Sequence, residues 1–177
     1  MINENLATIK NSIPSHVTLV AVSKTKPNEL IKEAYNSGHR IFGENKAQEL
    51  KNKAEVLPKD IEWHFIGHLQ RNKVKYIAPH ASLVHSIDSL KLLKEVNKQA
   101  LKNNRIIDCL LQFHIATEES KFGLSLEEAA ELLTSNEFSS LKNIRVVGVM
   151  GMASFINSEE QVRKEFASLK HIFTQLK

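Results

Sequence analysis

One cysteine, Cys109, stands alone in a chain of 177 residues, so no internal disulfide is possible and a zinc site built on thiolates is excluded. Its simplest place is the core. No apolar run approaches the length of a membrane-spanning helix. The opening residues, M-I-N-E-N-L-A-T-I-K, are acidic and polar where a secretory signal carries a basic segment and an apolar block, so the chain reads as cytoplasmic. A dominant charge of one sign is also missing. The formal net charge is +4, and the lysines are spread beside glutamates as on any solvated surface, which gives no basis for nucleic-acid binding. The loops G-x-G-x-x-G and G-x-x-x-x-G-K-[ST] are absent, as is the G-x-S-x-G elbow, so neither nucleotide binding through those loops nor serine-hydrolase chemistry has support.

What is present fits one ordinary domain: 42% hydrophobic and 25% charged residues are the proportions of a globular protein, and the length suffices for a single core. Residues 17–22, V-T-L-V-A-V, are apolar except for Thr18 and too few for a helix, and they read as a strand buried on both faces. Lys24 sits just past its carboxyl end, where α/β folds bind ligands. Partial burial there would disfavour the ammonium form, leaving an amine able to attack a carbonyl group, so Lys24 is a candidate Schiff-base lysine. On this stretch alone the plainer alternative, that Lys24 and Lys26 are solvated loop charges, stands beside it.

The pattern then repeats. A short helix at 3–12 precedes the first strand, and a helix starting at Pro27 ends at Gly38. Strands are expected at 40–42, 62–66, 82–86, 106–115 and 143–150. Between and after them, helices are expected at 47–57, 71–78, 90–102 with Asp88 or Ser89 as cap, one capped by Ser125 after a long loop at 116–123, and 158–176. Strands alternating with helices imply parallel strands joined by right-handed crossovers. Six βα units are visible, whereas a complete barrel takes about 200 to 250 residues. The spacing is compatible with an open doubly wound sheet or with a barrel short of its last quarter.

Each strand end carries small or polar residues, and in a barrel these loops ring one pocket, bringing Lys24 and Asn45 together with groups from the third and fourth loops. Gly43, Gly67 and Gly151 are expected to permit tight βα turns. His64 and His68 form an H-x-x-x-H pair, but it straddles a strand end, and no metal site is assigned; His64 is expected in the core or the pocket. Ser86, His64 and Asp88 could be assembled into a Ser/His/Asp set, without a supporting motif.

Five motifs carry a resemblance. A-V-S-K-T-K-P at 21–27, F-G-E-N at 42–45 with Gln48 and Glu49, W-H-F-I-G-H-L-Q-R-N-K at 63–73, H-S-I-D at 85–88 and G-V-M-G-M at 148–152 resemble, in order and across the whole chain, the pyridoxal phosphate homeostasis proteins, the YggS/PROSC family. The resemblance implies an α/β fold of (β/α)8 TIM-barrel type, like the barrel of alanine racemase, with about six βα units in this single domain. It implies pyridoxal 5'-phosphate held as an internal aldimine on Lys24, with Asn45, His64, Ser86 and Met150 lining the cofactor pocket. The family looks like a carrier and regulator of the cofactor pool without established turnover, which fits a barrel lacking the second acid/base group that racemases take from another domain and a partner chain. The implied partners are the cofactor itself and pyridoxal-phosphate-dependent enzymes as acceptors, with no nucleic acid and no membrane, and a monomeric state at full length. Enzymatic use of Lys24, in a low-activity racemase or a Schiff-base aldolase, is the alternative. Family members continue with a seventh and an eighth βα unit, bearing an S-M-G-M-S-like loop and a G-S-T-x-V-R-I-G-like segment, which supply phosphate-binding amides and an arginine near the ring. Nothing in these residues matches them, so weak cofactor retention and exposed apolar edges on the first and sixth strands are expected.

Overall fold

A computed structural model describes residues 1–116 and 122–177, so most of the loop expected at 116–123 lies outside the described residues. The helices form where the apolar spacing places them, because each buries one stripe. In chain order the outer elements are α1 (Ile2–Ser12), α2 (Asn28–Asn36), α3 (Ala47–Val56), a 3-10 turn Arg71–Lys73 leading into α4 (Val74–Ile77), α5 (Leu90–Lys102), α6 (Leu126–Thr134), α7 (Asn136–Ser139) and α8 (Glu159–Leu176). In α5 the stripe is Leu92, Leu93, Val96 and Ala100, all buried, and the Ser89 hydroxyl caps the helix by accepting from the Leu92 N–H. Each such buried Leu or Val contributes about 1.5–3 kcal/mol. Past the end of α2, Gly38 takes the left-handed φ of +85° that lets the chain turn toward the second strand.

The strands are β1 (Ala21–Val22), β2 (Ile41–Glu44), β3 (Glu62–Phe65), β4 (Ala81–Ile87), β5 (Ile107–Phe113) and β6 (Ile144–Gly151). They form one parallel sheet in the order β1-β2-β3-β4-β5-β6. A doubly wound sheet reverses its winding at a switch point; here every crossover steps to the next strand in the same direction. That order, with helices on one side, is the winding of a (β/α) barrel and decides between the two architectures the spacing left open.

Two faces follow from the register. Lys53 of α3 reaches Glu44, so the face carrying Phe42, Glu44, Trp63 and Phe65 is the one the helices cover, and it is fully buried. Gly43 and His64 pair side by side on the opposite, inner face. The first strand departs from expectation. Only Ala21 and Val22 pair, and Val17 and Val22 are about half exposed, at 45% and 52%, so this strand is not buried on both faces. It is an edge strand, and its apolar run lacks a neighbour on one side among the described residues. β6, the opposite edge, likewise buries only Ile144 and leaves Val147 half exposed.

Candidate functional site

The turn after β1 carries Lys24, and its neighbours hold it in place. The Ser23 N–H donates to the Gly43 carbonyl at 2.9 Å, extending the β1–β2 ladder, and the Lys26 N–H closes the turn on the Ser23 carbonyl at 3.0 Å. Thr25, between them, has a left-handed φ of +62°, uncommon for a β-branched residue. Its N–H donates to Glu49 Oε1 of α3 at 2.6 Å. Below the turn, Lys53 Nζ donates to the Ser23 carbonyl and to the carboxylates of Glu44 and Glu49, and the Ser23 hydroxyl donates to Glu44 Oε1 at 2.5 Å. Lys24 itself is exposed, as in the solvated-loop alternative and without the partial burial that would disfavour its ammonium form, and among the described residues it makes no hydrogen bond or ion pair. The reason is its place: it lies on a turn beyond an edge strand whose one strand neighbour among the described residues is β2.

Beside it, β2 runs into Asn45 and β3 leads toward Gly67. A Cβ on Gly67 would lie 2.3 Å from the Asn45 carbonyl oxygen, so only glycine lets the third loop close over the second. Gly43, Gly67 and Gly151 all have ordinary φ; what they allow is close packing and not the tight turns expected of them. Asn45 Oδ1 is buried without a hydrogen-bond partner. So is the Ser86 hydroxyl, on a residue only 1% exposed within an irregular step of the β4–β5 register between Val84 and Ile87. Leaving such an atom unpaired costs about 1–3 kcal/mol, and two of them stand at the carboxyl ends of β2 and β4, the strands on either side of β3. The third unpaired atom, Glu44 Oε2, belongs to the network beneath the turn.

His64 and His85 meet across β3 and β4, His85 Nε2 to His64 Nδ1 at 3.0 Å. Burial, with a smaller repulsion from His85, pushes His64 down to about 4, and burial also lowers His85, so both rings are neutral near pH 7 and one donates to the other. His68 lies apart from this pair, stacked on Phe122 with ring centroids 4.0 Å apart and 3.9 Å from Asp88. Ser86, His64 and Asp88 therefore do not form a relay. His64 bonds to His85, Asp88 faces His68, and the Ser86 hydroxyl has no base beside it. Among the described residues no three His, Cys, Asp or Glu side chains gather as metal ligands. On the far side Met150 of β6 pairs with Gln112 of β5, placing both on one face at the same end of the sheet.

Two groups escape a reading of the sequence. Gln112 lies within the most apolar strand. Lys53 looks like a surface lysine, but it falls next to Ala54 and three residues after Leu50, on the buried stripe of α3, and four residues after Glu49. A charge on an apolar stripe with an i, i+4 partner was the available signal.

Fold and site together define a barrel of the alanine racemase type with a lysine at the end of its first strand. The family model "Alanine racemase, N-terminal domain" matches residues 1–177. The pyridoxal phosphate homeostasis protein of Aquifex aeolicus is 41% identical over 160 residues, covering 89% of this chain and 69% of that protein. That of Escherichia coli K12 is 35% identical over 190 residues, covering 96% and 80%. Among solved structures, PipY of Synechococcus elongatus with pyridoxal phosphate bound superposes with a TM-score of 0.86 at 31% identity, covering 99% of this chain and 82% of that one. An alanine racemase of Clostridium difficile shares the fold, with a TM-score of 0.77 at 15% identity over 99% of this chain and 46% of the racemase. The chain belongs to the pyridoxal phosphate homeostasis protein family, within the alanine racemase N-terminal domain family.

Proposed function

We propose that this chain is a single-domain carrier of pyridoxal 5'-phosphate, bound covalently through Lys24, that serves cofactor homeostasis in the cytoplasm and delivers to pyridoxal-phosphate-dependent enzymes without turning over a substrate of its own. When bound, the cofactor supplies an aldehyde with which a lysine amine condenses and a conjugated ring that absorbs near the visible edge. The observation that carries the reading is the placement of an unengaged Lys24 amine at the same barrel end as two buried, unpaired polar atoms, Asn45 Oδ1 and Ser86 Oγ. Those atoms suit a polar ligand bridging the ends of β1, β2 and β4. Asn45 accepts a hydrogen bond from such a group, Ser86 donates or accepts one, and Met150 and the neutral His64 line the inner face. The relative PipY, solved with pyridoxal phosphate bound, and the names of the homeostasis proteins support the same reading.

The site favours holding over catalysis. A general acid or base works best with a pKa near the operating pH. His64, held down at about 4 and bonded to His85, is a poor proton shuttle at pH 7. The test is chemical: the protein is incubated with pyridoxal phosphate, reduced with borohydride, digested and mapped. We expect the label on the peptide bearing Lys24. Label spread evenly over exposed lysines such as Lys26, or no label, overturns the proposal.

A further inference from the structure

We propose that Lys53 and Glu49 of α3 form a clamp that positions Lys24 by fixing the backbone on both sides of it, a role that rests on Lys24 being the attachment point. Lys53 is 6% exposed, and its three bonds, to the Ser23 carbonyl at 2.8 Å, Glu44 Oε1 at 2.8 Å and Glu49 Oε1 at 2.7 Å, use all three of its N–H groups. Nothing remains for a ligand, so its task is internal. One arm of the clamp holds the residue before Lys24, through the Ser23 carbonyl and through the Ser23 hydroxyl on Glu44. The other holds the residue after it, through the Thr25 N–H on Glu49. Both arms meet at one ammonium. Thr25 keeps its left-handed φ because its N–H is captured there.

The arrangement is costly unless it serves position. Two carboxylates and one ammonium lie under the turn, and Glu44 is fully buried with its second oxygen unpaired. A hydrophobic trio would pack this space with less desolvation. What the charged trio provides is direction, since three acceptors on two strand ends and a helix meet one donor in a single geometry. Lys24 stands between two pinned residues with its own side chain unengaged.

The test uses variants that separate positioning from folding. Lys53→Met with Glu44→Gln removes the two fully buried charges together and leaves only the partly exposed Glu49 carboxylate, which keeps the Thr25 N–H. Glu49→Ala removes the Thr25 arm at a partly exposed site, and Glu49→Gln keeps an acceptor there. In the double variant and in Glu49→Ala we expect amide exchange at 23–26 to speed up at least about tenfold, with the β3–β5 peptides unchanged. The rate at which the Lys24-dependent absorbance forms with pyridoxal phosphate should fall by about tenfold to a hundredfold, since small misplacements cost that much. Glu49→Gln should recover most of both. Parental exchange at 23–26 in both disrupted variants overturns the clamp, and so does accelerated exchange with an unchanged rate of absorbance formation. A parent protein that forms no Lys24-dependent absorbance instead defeats the cofactor reading, and the exchange rates still decide whether the clamp exists.

Discussion

At the scale of single residues, the site is built from what its members are denied. Asn45 Oδ1 and the Ser86 hydroxyl are buried without partners, Gly67 is denied a side chain, and His64 is denied its charge. Gly67→Ala would drive a methyl group to 2.3 Å from a backbone oxygen that no rotamer change can move. We expect a loss of about 2 kcal/mol or more in urea unfolding, because overpacking against backbone cannot relax, together with displacement of Asn45. An unchanged midpoint would show that the two loops separate freely. For His64 the sign runs one way. Its folded pKa of about 4 lies below the ordinary value of 6.5, so the stability it confers is fully present above pH 6.5 and is lost as pH falls from there through 4. Full loss amounts to roughly 3 kcal/mol, and the lowered pKa of His85 acts in the same direction. Urea midpoints at pH 7.5 and pH 4.5 measure it, and His64→Gln should flatten part of the slope.

At the scale of elements, the sequence is legible wherever one residue's environment is set by its own helix. α5 begins and ends where its spacing and the Ser89 cap place it, and α6 begins at a full capping box, with the Ser125 hydroxyl accepting from the Glu128 N–H and the Glu128 carboxylate accepting from the Ser125 N–H. Ser125→Ala should cost about 1 kcal/mol in thermal or urea unfolding, and Ser125→Asp should restore most of it. Legibility fails where the environment belongs to other elements. The run at 17–22 has the composition of a central strand, but only two residues pair, because burial of a strand is decided by its neighbours. The helix expected at 71–78 is a 3-10 turn followed by four α-helical residues, and α7, four residues under the Ser135 cap, is too short for periodicity to reveal. Lys53 is the same lesson inside the site: its type says surface, and only the stripe it sits on says otherwise.

At the scale of the whole molecule, the parallel strand order β1 to β6 puts the six strand ends at one end of the sheet, so residues far apart in sequence, from Lys24 to Met150, lie at that same end. Alternation of strands and helices made the units legible, but not the winding, since both architectures share the same local pattern. The motifs at 21–27, 42–45, 63–73, 85–88 and 148–152 fall at or next to strand ends on that rim, so the resemblance they carry and the geometry agree in location. The membership of the chain in its family rests on the family model over residues 1–177 and on the sequence relatives, and among the described residues no helix is long and apolar enough to cross a membrane. The proposal stands or falls on whether one lysine on this rim, Lys24, binds the cofactor. It is tested most directly by an absorbance spectrum taken after incubation with pyridoxal phosphate and removal of the excess, beside Lys24→Ala. If Lys24 binds the cofactor, the parent retains a band near the visible edge and Lys24→Ala does not; a band of equal strength in both, or none in either, rules that binding out.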